Sequence, residues 1–214
     1  MIDVYYHMYC FGDCLERFQN TLNKIKRTGL YDSINSINLN LTGDSSKELF
    51  TAFPIQDSKI ILTNHYTDSS GEMDTLKLLW DDCKQKNSKI LYLHSKGVSR
   101  PGNQNVQAWI EYMEYFVIEK WKDCLNALDS HDTCGVNLQP KPMKHYSGNF
   151  WWANSSYIQK LSRFNPELSS YIKVPRVYCE FWLLDNSFCK TSCLFSSNVD
   201  HYSVHYGETN YKTN

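Results

Sequence analysis

Strand and helix signals alternate along this chain, and that alternation limits the fold more than any other feature. The clearest strand signal is Ile90-Leu91-Tyr92-Leu93, an apolar run too short for a lone helix and flanked by helical segments. Such a run reads as a strand buried on both faces, the mark of an α/β sheet. It stops at His94-Ser95-Lys96-Gly97. In open α/β sheets ligands lie beyond the carboxyl ends of the strands. That rule puts His94, Ser95 and Lys96 at the mouth of a site, although a strand-to-loop junction that merely happens to be polar accounts for these three residues equally well.

The rest of the chain follows the same alternation. Val4 to Tyr9 reads as a first strand and Gly12-Asp13 as a turn. Leu15, Phe18, Leu22 and Ile25 then share one helical face, which Gly29 can end. Ile34 to Leu41 alternates apolar and polar residues, as a half-buried strand should. Lys59 to Thr63 is a third strand, ending at Asn64-His65-Tyr66. Ser69 and Glu72 have capping-box spacing ahead of a helix whose apolar face carries Leu76, Leu79, Trp80 and Cys83. The longest helix is predicted over Val106 to Leu128, with Trp109, Met113, Phe116, Val117, Lys120, Trp121, Cys124 and Leu128 forming its stripe. Short strands are expected at Cys134 to Leu138, Tyr146 to Ala153 and Cys193 to Ser196. Helices are expected at Ser155 to Leu161 and Tyr178 to Asp185, on either side of a loop around Pro166 and Pro175. This order predicts one α/β domain over residues 1–214, alone or within a longer protein, with a central, mostly parallel sheet flanked by helices.

Composition narrows the partners. At 214 residues and 42% hydrophobic the chain can bury a sizeable core. A formal net charge of -1 offers no basic footprint for nucleic acid. The eight cysteines contain no C-x-x-C, and no basic-then-apolar leader opens the chain, so reduced thiols in a cytoplasmic protein are expected. No apolar run approaches the ~18 residues of a membrane span. The dinucleotide fingerprint, the P-loop, the nucleophile elbow and the H-E-x-x-H helix are all missing from the sequence. Functional residues must therefore be read from strand ends.

The blocks Leu93-His94-Ser95-Lys96-Gly97, Trp109-x-x-Tyr112, His145-Tyr146-Ser147-Gly148-Asn149-Phe150-Trp151-Trp152-Ala153-Asn154 and Glu180-Phe181-Trp182 occur in an order that resembles the GT-A glycosyltransferases. Within them it looks like a small family of sugar-transfer domains that build chlorella-virus capsid glycans. The resemblance covers nearly the whole chain, and Tyr146 to Asn154 is its most specific part. It implies a GT-A-like domain in the cytoplasm, the host's if the protein is viral. It implies a UDP-sugar donor, transfer of a hexose or deoxyhexose such as glucose or L-rhamnose to a glycan acceptor, and Mn2+ or Mg2+. Glycogenin-like relatives imply retention of configuration.

One departure stands out. Most GT-A enzymes end this strand in Asp-x-Asp, whose carboxylates hold the metal, whereas this chain has His94-Ser95-Lys96. Imidazole suits Mn2+ less than oxygen does, while Lys96 can neutralise diphosphate as a point charge. The resemblance leaves His94 and His201 as metal ligands, the latter by analogy with a metal-ligating His of the glycogenin-like enzymes; a surface histidine in the tail is the plainer reading of His201. Asp81-Asp82 lies late in its helix, about 15 Å from the site end, and is expected to be a solvated surface pair.

For the nucleoside, His7 and Tyr9 at the end of the first strand are candidates, with Tyr9 either stacking on uracil or packing in the core. Asn64 and His65 are second candidates. Asn137, Ser147, Gly148 and Asn149 would face them across the crevice, where Gly148 either admits a sugar to the backbone or only bends the strand. Glu180 sits among apolar residues, where an unpaired charge is costly. It is the candidate catalytic group, stabilising an oxocarbenium-like centre or holding sugar hydroxyls. Trp151 and Trp152 should point to opposite faces, one into the core and one under the acceptor sugar. Two other readings stand beside glycosyl transfer. One is a catalytically decayed glycan-binding module, which the missing Asp-x-Asp favours. The other is a nucleotidyltransferase that releases pyrophosphate.

Overall fold

The computed structural model describes residues 1–67, 71–165 and 174–212. Strand β1 (Ile2–Tyr9) is followed by helix α1 (Cys14–Arg27), which buries Phe18, Thr21, Leu22 and Ile25. Gly29, at φ +73°, ends it in the left-handed conformation that glycine adopts without penalty. A single turn, α2 (Leu30–Ser33), leads into β2 (Ile34–Thr42). Its alternation predicts a half-buried strand, yet Asn38, Asn40 and Thr42 are buried. The reason is local pairing: Asn38 Nδ2 donates to the Val4 carbonyl (3.2 Å) and Asn40 Nδ2 to Thr75 Oγ1 (2.8 Å). Helix α3 (Ser46–Thr51), strand β3 (Ile60–Tyr66), helix α4 (Met73–Cys83) and strand β4 (Lys89–His94) complete this half. Asn64 and His65 lie inside β3 rather than beyond it. Ser69 of the expected capping pair and the loop at Pro166 fall outside the described residues.

The predicted long helix is interrupted. Helix α5 (Gln104–Glu114) passes into a π-helical turn, Tyr115–Glu119, before α6 (Trp121–Leu128) resumes. Inside the turn the Val117 carbonyl accepts the Trp152 indole N–H (2.8 Å). Strand β5 (Thr133–Gly135) follows, then β6 (Leu138–Gln139) and β7 (His145–Tyr146), which pair as a separate ribbon. The single strand expected over Tyr146–Ala153 is thus divided, and β8 (Trp151–Asn154) begins after a turn. One-turn helices α7 (Ser155–Ile158) and α8 (Pro175–Tyr178), a 3-10 turn at Trp182–Leu184 and strand β9 (Thr191–Cys193) follow.

Seven strands form one sheet in the order β3-β2-β1-β4-β8-β5-β9. Among the described residues, β8 alone runs against the rest. This is the mostly parallel α/β architecture that the alternation predicts, consistent with a GT-A-like fold. The chain moves outward from β1 to β3 and then returns to place β4 on the other side of β1, so the strand order reverses between β1 and β4. Their carboxyl ends, where His7 pairs with His94 in register, form the crevice at which α/β sheets bind ligands.

Two apolar clusters line the sheet. One holds α1, α5 and α6; the other holds α4, α7 and Cys179–Leu184. Trp152 belongs to the first and Trp151 to the second, so they do point to opposite faces. Both are buried, at 0% and 1% exposure, which removes either from an acceptor platform. All eight cysteines are free thiols. Among the described residues no helix is long and apolar enough to cross a membrane.

Candidate functional site

The loop that leaves β4 carries the charge of the site. Lys96 Nζ lies 3.9 Å from the Trp109 ring centroid and forms no ion pair among the described residues. Burial draws its pKa below the usual lysine value, while the Glu180 and Glu72 carboxylates oppose that shift. One residue away, Ser95 Oγ accepts the Tyr9 backbone N–H (2.8 Å), fastening this loop to the end of β1. His94 Nε2 faces the Gly148 carbonyl at 3.0 Å. A carbonyl only accepts, so Nε2 carries the proton. Burial, and then the Lys96 charge, push the imidazole pKa down to about 3, which leaves His94 neutral.

The turn between β7 and β8 is built on two left-handed residues, Gly148 (φ +92°) and Asn149 (φ +60°). A Cβ at Gly148 would collide with Met113 Sδ and the Trp109 ring. The missing side chain at Gly148 is what lets Met113 and Trp109 pack against this turn. Asn149 is fully engaged. Its Nδ2 donates to Glu72 Oε2 (2.6 Å) and to the Cys179 carbonyl (3.3 Å), and its Oδ1 accepts the Trp151 indole N–H (2.8 Å). Glu72 Oε2 also accepts from the Tyr92 hydroxyl (2.8 Å). One buried amide thus ties the start of α4, the turn, and the backbone next to Glu180.

Beside this turn lies a cavity of about 480 Å³. Trp109, Gln139, Ser147 and Glu180 line one side, and the segment Asn198–Tyr202 lines the other. His201 anchors that segment. Its ring lies 5.5 Å from Trp109 at 7° and 5.0 Å from Tyr112 at 26°. Asn137 Oδ1 accepts the Ser197 N–H (2.8 Å) and the Tyr112 hydroxyl (3.1 Å), so its Nδ2 donates to His201 Nε2 (2.8 Å). Nε2 is therefore the unprotonated nitrogen, and burial holds the His201 pKa down to about 4.

The structure thus brings Ser147, Glu180 and His201 to one cavity, with His94 and Lys96 beside it. Ser95, Gly148, Asn149 and Asn137 support it from within. His7 is an internal cross-link: its Nδ1 meets Thr75 Oγ1 at 2.9 Å, and burial pushes its pKa to about 4. Tyr9 is half-buried and stacks on Phe11 (5.9 Å, 15°), a residue that is 52% exposed. Asn64 and His65 stand on the far edge strand. There Asn64 donates to the Tyr66 hydroxyl (2.9 Å) and His65 packs on Phe50 (4.9 Å). No contact among the described residues joins them to the cavity. Asp81 pairs with Arg163 (2.7 Å) and Asp82 accepts from Tyr5 (2.8 Å), at the end of α4 opposite Glu72, as the topology predicts.

Among the described residues, His94 and His201 do not come together with a third ligating side chain, and His201 Nδ1 is buried without a partner. The Nε2 atoms of His94 and His201 are both engaged. Glu72, which holds the Asn149 turn, and Tyr202, which lines the cavity, are residues that the sequence reading missed. Glu72 is legible in sequence only as a helix-start residue. Tyr202 has no local signal, because a turn of the tail brings it to the cavity.

No curated protein matches the sequence. Among solved structures, HddC from Yersinia pseudotuberculosis is 12% identical, with 92% of this chain and 91% of that chain aligned at a TM-score of 0.50. The 4-diphosphocytidyl-2C-methyl-D-erythritolsynthase from Anaerococcus prevotii DSM 20548 is 12% identical over 98% and 94% of the two chains, at a TM-score of 0.48. At such identities the likeness to HddC speaks for the fold alone. A family pattern described as a domain of unknown function, DUF8361, matches residues 12–179. With most of its length inside that match, the chain belongs to the DUF8361 family.

Proposed function

We propose that the protein transfers a hexose or deoxyhexose from a UDP-linked donor to a glycan acceptor, with retention of configuration. The observation that carries this reading is Lys96. It is a cation without an ion-pair partner among the described residues, at the carboxyl end of β4, beside a cavity that also holds Glu180. An ammonium in that position attracts the donor diphosphate and stabilises the charge that builds on it as the sugar leaves. Glu180 supplies negative charge where the anomeric carbon becomes positive. The stacked pair Tyr9 and Phe11 offers a ring face for uracil, and Tyr9 is tied to the Lys96 loop through Ser95. The donor thus runs from the end of β1, past Lys96, into the cavity. The sequence blocks shared with GT-A glycosyltransferases support the same reading.

A glycan-binding module without turnover is the second reading. The sequence His94-Ser95-Lys96 after β4, in place of Asp-x-Asp, favours it. Thermal shifts with UDP, GDP and CMP, followed by assay of UDP release from UDP-sugars, separate the possibilities. A nucleotide at 100 times its Kd raises stability by about 2.7 kcal/mol. UDP alone is expected to do so, and UDP-glucose or UDP-L-rhamnose is expected to release UDP. Equal shifts from all three nucleotides count against a uracil site. Binding without release with any donor supports the module.

A further inference from the structure

The loop after β4 has a second side. Gly97 and Arg100 line another cavity, of about 490 Å³, walled by the first turns of α1 and α5. Asp13, Glu16 and Arg17 enter it from α1 and its approach, and Gln107 from α5. Arg17 Nη2 donates to Gln107 Oε1 (2.7 Å), while its Nε is buried without a partner among the described residues. Among those residues, none of Asp13, Glu16, Arg17 and Arg100 takes part in an ion pair. Charges of both signs therefore face one space without neutralising each other.

That pattern disfavours a ligand that carries charge of one sign only. A purely anionic ligand would meet Asp13 and Glu16, and a purely cationic one would meet Arg17 and Arg100. A neutral ligand whose groups donate and accept hydrogen bonds at several points satisfies all four. Sugar hydroxyls do this, because each both donates and accepts. The cavity also adjoins the site. Arg100 lies over the Tyr202 ring (5.1 Å), and Tyr202 lines the first cavity, so one residue pair partitions the two spaces.

We propose that this second cavity is a glycan subsite that holds a neutral sugar residue of the acceptor, away from the reacting end. Its assignment to the acceptor rests on the glycosyl-transfer reading; its sugar chemistry rests on the cavity alone. Contacts remote from the reacting atoms provide binding energy that positions the acceptor.

Saturation-transfer NMR on the full chain with UDP present tests it. The probes are the methyl glycosides of glucose, galactose, mannose, xylose and L-rhamnose. At least one is expected to saturate, and Arg17→Ala and the exposed Glu16→Ala are each expected to weaken it by at least about fivefold. The UDP thermal shift should be the same in both variants as in the parent chain. Silence from every glycoside, or a signal that survives both substitutions, overturns the subsite. A glycoside signal lost in both variants from a protein that UDP does not stabilise keeps the subsite and sinks the UDP-sugar reading instead.

Discussion

Lys96 and Glu180 place opposite charges around one space, and each should leave a distinct kinetic trace. Lys96→Ala removes the point charge expected at the diphosphate. Calorimetry should therefore show a larger loss for UDP than for uridine; equal losses would move Lys96 away from the phosphates. Glu180→Gln keeps shape and removes charge. A carboxylate that acts only in the transition state lowers kcat while donor KM holds. The expected fall is about 10²–10³ in kcat, or about 3–4 kcal/mol. A variant with parental kcat would end the catalytic role of Glu180. Both residues were legible in sequence, Lys96 from its place after an apolar run and Glu180 from its apolar neighbours. Asn137 and Asn149 were legible as polar residues near the site but not as what they are. Their amides are consumed by partners far apart in sequence, and no local pattern encodes that.

At the scale of elements, the decisive piece is the turn between β7 and β8. Asn149 is one of the few side-chain types that take the left-handed conformation readily, and the Glu72, Cys179 and Trp151 hydrogen bonds hold it there. Glu72→Ala would leave the Tyr92 hydroxyl and one of the two Asn149 Nδ2 hydrogens unpaired, the other still meeting the Cys179 carbonyl. Each unsatisfied buried group costs about 1–3 kcal/mol, so chemical denaturation should show a loss within or above that range. Glu72→Gln keeps an acceptor oxygen and should lose less. Equal losses in the two variants would mean that charge, not geometry, is what Glu72 contributes. The same scale explains the broken helix. Its apolar stripe over Val106–Leu128 is continuous in sequence, but the Trp152 indole reaches the Val117 carbonyl inside the π-helical turn. That partner lies 35 residues away and leaves no mark on helical periodicity.

For the whole molecule, three histidines carry a common pH signature. His7, His94 and His201 have pKa values near 4, 3 and 4, all below the ordinary 6.5, chiefly through burial. The unfolded chain binds protons at these sites before the folded chain does, so protonation favours unfolding. Their contribution to stability is complete above pH 6.5 and is lost as pH falls from there toward 4 and 3. For buried His7 alone the loss is on the order of 3 kcal/mol. Denaturant midpoints between pH 7 and 4 should fall accordingly, and His7→Asn should flatten the fall. A midpoint unchanged over that interval would contradict burial of the neutral rings. The alternation of apolar strands and amphipathic helices fixed by itself the α/β class, the mostly parallel sheet and the polar end of β4, because those follow from local periodicity and the burial it demands. Tertiary structure alone decided which side chains face the cavity. The reversed strand β8, the paired amides of Asn137 and Asn149 and the tail that brings His201 and Tyr202 beside Trp109 all depend on contacts between distant segments, which no local pattern specifies.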